Sequence, residues 1–277
     1  MKLDTDHIVV IGFPHNQKSG GLGPETKRSM DGLIELYPDR AESKKLSLLY
    51  ISGTSRSTMA RKKYNTDLFM NNELSLDKIV HSYSGYTLPS DISIKNVGVI
   101  FLIHGTSGFP KLFAAQNSTN YIERDNVSNG KVIAKLLKLL GLSACIEKLQ
   151  LVMCGGAKFD VDSGSLLDGV CSGIEGENFK NPPMVISWDC EVTHNYKGDL
   201  VVGGKTGIEI EEEHCHVREM SALGKMIVPD LDAPYNPTLV DTYSTVRMSY
   251  GPGYIPVRVR DWHSRRPIRT KKGCTLL

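Results

Sequence analysis

At 277 residues the chain is long enough to bury a substantial core, and its 40% hydrophobic and 23% charged residues exclude a disordered or fibrous protein. The net charge of +2 selects no partner, yet Arg258, Arg260, Arg265, Arg266, Arg269, Lys271 and Lys272 crowd into the carboxyl-terminal tail, which asks for something acidic. No stretch has the roughly eighteen apolar residues of a membrane-crossing helix, and MKLDTDHIVVIGF carries acids where a secretory signal carries bases, so the mature chain is expected to keep its amino terminus.

HIVVIGF (7–13) reads as a first strand, followed by the Gly- and Pro-bearing loop NQKSGGLGPET and an amphipathic stretch from Lys27 to Leu36. KLSLLYISG (45–53) reads as a second strand, STMARKKY as a short helix, and 65–89 as mixed and polar. Next come two apolar runs that each end on a reactive residue. VGVIFLIHG stops at His104 and Gly105, and KLQLVMCGG at Cys154, Gly155 and Gly156. Between them NGKVIAKLLKLLGL places Val132, Ile133, Leu136, Leu137, Leu139 and Leu140 at helical spacing, which makes the three a strand-helix-strand crossover. DSGSLLDGVCSGIEG beyond it suits a poorly propagated helix or a loop, PMVISWDCEV a strand, and THNYKGD with LVVGG a hairpin. From Glu209 onward periodicity gives way to acids, histidines and prolines, and an irregular appendage is expected. This alternation predicts an α/β three-layer sandwich with a mainly parallel central sheet.

Uncharged runs of this kind suit strands buried on both faces, and ligands bind in open α/β sheets where such strands end. Parallel neighbours lie about 4.8 Å apart, so His104 and Cys154 are expected to face each other across a gap fit for a substrate carbonyl. A thiol needs an imidazole to take its proton or to protonate the leaving amine, which is the chemistry of a cysteine peptidase. The backbone amides of Gly105 and Cys154 would receive the oxyanion, with Gly155 and Gly156 allowing a tight turn.

FLIHG, LQLVMCGG and ISWDCEVTHNYKGDLVV, in that order around a helix, resemble the caspase-like (clan CD) cysteine peptidases. Within them the blocks are most similar to the autoprocessing cysteine peptidase domains of large glucosylating toxins and of multifunctional autoprocessing repeats toxins. The resemblance spans roughly Leu46 to Gly204 and implies His104 as general acid-base, Cys154 as nucleophile, and Ser187, Trp188 and Asp189 in the substrate pocket. Some of these toxins add an Asp on the strand matching KLSLLYISGTS; Gly53, Thr54 and Ser55 stand there in this chain, so a Cys-His dyad is expected. The toxin domains are activated by inositol hexakisphosphate, but no Lys/Arg cluster here matches that site, and no cofactor is expected.

The chain ends RRPIRTKKGCTLL, in which Cys274 to Leu277 form a C-a-a-X box behind a polybasic run. This tail is similar to those of prenylated small GTPases, although no GxxxxGK[ST] occurs. It implies lipidation at Cys274 by a host prenyltransferase, attachment to anionic membrane lipids rather than nucleic acid, and a cytosolic, membrane-associated site of action. Joined to the toxin-like blocks, it implies a bacterial effector acting on a protein substrate inside a host cell. The parse is an N-terminal segment (1–44), a peptidase core (45–208), an appendage (209–257) and a basic tail (258–277).

Rival constellations stand beside this one. GVCSG fits the nucleophile turn of an α/β-hydrolase esterase, with Cys171 as nucleophile. A papain-like order would pair Cys154 with His194 and Asp199. A third alternative is a non-catalytic, membrane-tethered binding module. His214, Cys215 and His216 in EEEHCHVRE invite a metal, but alternating neighbours point to opposite faces of a strand, and none is expected there. The six cysteines (Cys145, Cys154, Cys171, Cys190, Cys215, Cys274) show no paired spacing, so reduced thiols are expected.

Overall fold

The computed structural model describes residues 2–14, 22–52, 69–106, 109–112, 125–160, 164–206, 214–220, 253–257 and 262. Five apolar segments, β1 (His7–Gly12), β2 (Leu46–Ile51), β4 (Val97–Leu102), β7 (Ile146–Val152) and β8 (Met184–Trp188), form a parallel block in the order β8-β7-β4-β1-β2. Every residue of β1, β4, β7 and β8 is buried, the state of a parallel strand covered on both faces. Antiparallel strands flank the block: β3 (Val80–Ser82) on β2, β11 (Cys215–Met220) on β8, and β12 (Tyr254–Val257) on β11. Among the described residues the sheet therefore has eight strands.

Two apolar layers lie against it. On one face Ile8, Val10, Ile100, Leu102, Val152 and Ile186 cluster with Met30 and Leu33 of α1 (Pro24–Leu36). On the other, Val9, Ile11, Val99, Phe101, Leu149 and Leu151 meet Ile133 and Leu137 of α3 (Asn126–Leu139) and Val170 and Ile174 of α4 (Leu166–Gly176). A short helix, α2 (Pro38–Glu42), follows α1. The result is the α/β three-layer sandwich that the alternation of elements predicts.

Local chemistry explains the helix boundaries. Pro24 opens α1 at a position that needs no N–H, the Asp125 carboxylate accepts the Ser128 N–H at 2.7 Å to cap α3, and Ser165 caps α4 through the Asp168 N–H at 3.1 Å. Within DSGSLLDGVCSGIEG, Leu166–Gly176 forms a helix despite its glycines because they serve a close crossing. A side chain on Gly130 of α3 would run into the Gly169 backbone of α4, and one on Gly173 would meet the Gly130 carbonyl oxygen at 2.6 Å.

Three expectations change. The run VGVIFLIHG is not one strand: β4 stops at Leu102, and β5 (His104–Thr106) turns into a separate hairpin with β6 (Phe109–Lys111). PMVISWDCEV likewise ends its sheet strand at Trp188, and β9 (Val192–His194) begins a hairpin with β10 (Leu200–Val202) over α1. Residues 209–257 were expected to be irregular, yet the parts described there, β11 and β12, extend the central sheet. STMARKKY, Gly53 to Ser55, and the tail with Cys274 lie outside the described residues. Among those described, no helix is long and apolar enough to cross a membrane.

Candidate active site

β4 and β7 run in register to Leu102 and Val152, and the Ile103 N–H continues the ladder to the Val152 carbonyl at 3.0 Å. The two chains stay together beyond it, since a Cβ placed on Gly105 would stand 2.8 Å from the Cys154 carbonyl oxygen. Side-chain direction follows from alternation. Leu102 and Val152 belong to the cluster under α1, Ile103 and Met153 to the opposite one, so His104 and Cys154 return to the α1 face. Their contacts agree: His104 Nδ1 is 3.9 Å from Glu25 Oε2 in the first turn of α1, and the Cys154 thiol donates to the Val192 carbonyl at 3.7 Å.

The His104 side chain keeps 32% of its surface exposed and Cys154 is half-buried, so both remain reachable. Burial pushes the Cys154 thiol above its ordinary value, against a lowering by hydrogen bonding with the Val192 backbone, and the carboxylates of Glu191 and Glu25 push the same way as burial. The thiol is therefore protonated at neutral pH and needs a base at the moment of attack. Beneath it the chain turns at Gly155, whose φ of +68° is left-handed. Gly155 N–H donates to the Cys190 carbonyl beyond β8 at 2.8 Å and Gly156 N–H to the Met153 carbonyl at 3.1 Å, so both amides are engaged. Gly156 must be small, because a side chain there would collide with Ser187 Oγ.

Glu25 is the member that sequence reasoning missed. It lies at this edge because a helix following a parallel strand starts where that strand ends, so the first turn of α1 faces the ends of β1 and β4. The motif GPET, a proline and an acid opening a helix directly after the first strand, was the available signal.

The expected substrate pocket does not form as a unit. Ser187 is buried with its Oγ donating to the Leu151 carbonyl at 3.0 Å, and Trp188 lies wholly inside the α1-side cluster, so neither meets a substrate. Asp189 is partly exposed, but both its oxygens are occupied: His214 Nδ1 reaches Oδ1 and His216 Nε2 reaches Oδ2, each at 3.0 Å. Burial opposes its ionisation, and the His216 and His214 imidazoles outweigh that and hold the carboxyl below its ordinary value. The face argument against His214 and His216 as partners was wrong for that pair. His214, just before β11, and His216 within it both reach Asp189, while Cys215 between them is buried against the α1-side cluster.

The rival nucleophiles fare poorly. Cys171 sits buried inside α4 where the helix crosses α3, with no strand-to-helix turn beneath it. His194 is buried, and burial lowers its pKa to about 3, which holds the imidazole neutral and away from solvent. Its proposed partner Asp199 instead accepts the Asn195 Nδ2 amide at 3.1 Å within the hairpin turn. Compared with known proteins, the chain matches no family model and no curated sequence.

Proposed function

We propose that this chain is a cysteine endopeptidase with Cys154 as nucleophile, His104 as general acid-base and Glu25 as the residue that positions the imidazole. What supports the assignment is one observation: thiol and imidazole leave adjacent parallel strands at the same edge and on the same face of the sheet. In the first step His104 takes the thiol proton as the sulfur bonds to the scissile carbonyl carbon, and the amides of Cys154 and Gly105 receive the oxyanion. The C–N bond then breaks with the imidazolium proton passing to the leaving amine. Water, deprotonated by the same imidazole, hydrolyses the thioester and restores the thiol.

The tail adds location. The polybasic run and a prenyl group on Cys274 hold the enzyme on an anionic inner leaflet, each signal alone being marginal, and a bacterial effector working on a host protein is the setting that joins these parts. Two experiments test the assignment. Mapping of new protein amino termini, in a cytosolic extract treated with the purified chain, should yield a set absent with Cys154→Ser and with His104→Ala; an unchanged set in either variant contradicts it. In cells, Cys274→Ser should move the protein from membrane to cytosol; retention on membranes refutes the lipid anchor alone.

A further inference from the structure

Asp189, Cys190 and His214 bring one carboxylate oxygen, one sulfur and one imidazole nitrogen within 4.8 Å of one another. The main chain fixes two of them together, since β8 and β11 pair at Trp188 and Cys215 and the Asp189 N–H donates to the His214 carbonyl at 3.0 Å. The side chains are about one-third exposed at Asp189 (35%) and His214 (36%), so an ion can enter from solvent. His216, at 17% exposure, stands behind the carboxylate and donates to its second oxygen.

We propose that Asp189, Cys190 and His214 bind a thiophilic divalent transition ion of the zinc type, with His216 orienting Asp189. Hydrogen bonding by the two imidazoles explains the carboxylate by itself, but it does not explain a thiol placed beside the same oxygen and nitrogen. Cys190 Sγ makes a weak contact of 3.6 Å with the adjoining Glu191 carbonyl and takes a hydrogen bond from the Gly203 backbone. The mixed S, N, O set is the one zinc and cobalt(II) prefer, whereas calcium and magnesium take oxygen alone. Tetrahedral bonds of about 2.0–2.1 Å to nitrogen and oxygen put those two atoms about 3.3 Å apart, and the bond of about 2.3 Å to sulfur puts its neighbours about 3.6 Å away. Asp189 Oδ1 and His214 Nδ1 are already at 3.0 Å. Binding needs the thiol to turn inward and lose its proton, and His214 Nδ1 to exchange its hydrogen bond to Asp189 for the metal, its proton passing to Nε2 or to solvent. With Asp189 Oδ2 held by His216, three protein ligands leave the fourth position to water, the arrangement of an open rather than a closed zinc site.

Cys154 is not among the ligands, although the site borders it: the Gly155 N–H donates to the Cys190 carbonyl at 2.8 Å, and Cys190 packs against the α1-side cluster. Cys215 and Val217 point to the α1 face, so His216 points to the other, where its same-face neighbour Arg218 pairs with Asp168 of α4 at 3.2 Å. The proposal therefore stands whether or not Cys154 is a nucleophile.

The test is titration of the full-length chain, stripped of metal and kept reduced, with cobalt(II) alone and then zinc(II) alone. One equivalent of cobalt should produce a sulfur-to-cobalt charge-transfer band that zinc abolishes. Cys190→Ser should remove the band, His214→Ala should weaken zinc binding at least about 100-fold, and His216→Ala about 10-fold with the band retained. Cys154→Ser should bind as the parent does. A parent chain with no thiolate band, a band that persists in Cys190→Ser, or one that follows Cys154 instead overturns the proposal. Circular dichroism of each variant, and X-ray absorption of the parent's cobalt complex showing one sulfur in the shell, keep the result independent of any variant's folding; a shell without sulfur also overturns it.

Discussion

A protonated resting thiol has a kinetic signature at Cys154. Because burial, with Glu191 and Glu25 behind it, raises this thiol above the ordinary range near 8.5, its alkylation should climb about tenfold per pH unit from pH 7 to 9. A rate already level at pH 7 would mean a resting thiolate-imidazolium pair and would contradict the mechanism. Glu25→Gln separates positioning from structure by sign. Removing its negative charge should speed alkylation of Cys154 a few-fold at fixed pH, while peptide cleavage falls several-fold because His104 loses its orienting partner; the exposed carboxylate justifies only these modest factors. Both rates falling together would show that Glu25 merely supports the fold. At this scale the placement of His104 and Cys154 at one sheet edge was legible, because each ends an apolar run. Ser187 and Trp188 were misread because β8 is covered on both faces, so its neighbours are core whichever way they point.

The α3–α4 crossing tests the packing of elements. In sequence GVCSG reads equally as a nucleophile turn or as two glycines one helical turn apart, and only the absence of a preceding strand favours the second. In the fold Gly169 and Gly173 let α4 lie directly on the backbone of α3 at Asn126 and Gly130. Gly169→Ala should therefore force the helices apart and cost about 3 kcal/mol or more in urea unfolding. Gly176→Ala, where an added methyl meets nothing within 4 Å, should change stability by less than about 1 kcal/mol in either direction. Equal effects at both positions would mean that helix propensity, and not the crossing, sets the cost. The strand β11 was illegible for a related reason. Arg218 and Glu219 are charged yet buried, and Arg218 is tolerated through its 3.2 Å pairing with Asp168, a partner 50 residues away that no local pattern reveals.

For the molecule as a whole, two buried imidazoles set the response to acid. His7 sits inside β1 with Nε2 2.8 Å from Ser47 Oγ, and burial, with Lys95 adding to it, lowers its pKa to about 4; burial lowers that of His194 to about 3. Each binds a proton more readily unfolded, at about 6.5, than folded, so stability is complete above pH 6.5 and is lost as pH falls toward 4. The slope is up to about 1.4 kcal/mol per pH unit for each imidazole. Urea midpoints should fall steadily from pH 6.5 to 4.5, and His7→Gln should flatten part of that fall. A stability independent of pH across this window would contradict the buried, neutral assignment of both groups. The three-layer architecture was legible from the order of strands and helices alone. The edge strands were not, since antiparallel additions at a sheet margin need few apolar residues and take their partners from distant segments.

The most direct measurement is covalent capture by a peptide bearing a thiol-reactive electrophile, read by intact mass and then by peptide mapping. A Cys154–His104 site predicts a single adduct on Cys154 whose rate drops at least about 100-fold in His104→Ala and is unaffected in Cys171→Ala. An adduct on Cys171 or Cys190 in place of Cys154, or a Cys154 rate indifferent to His104, would contradict it.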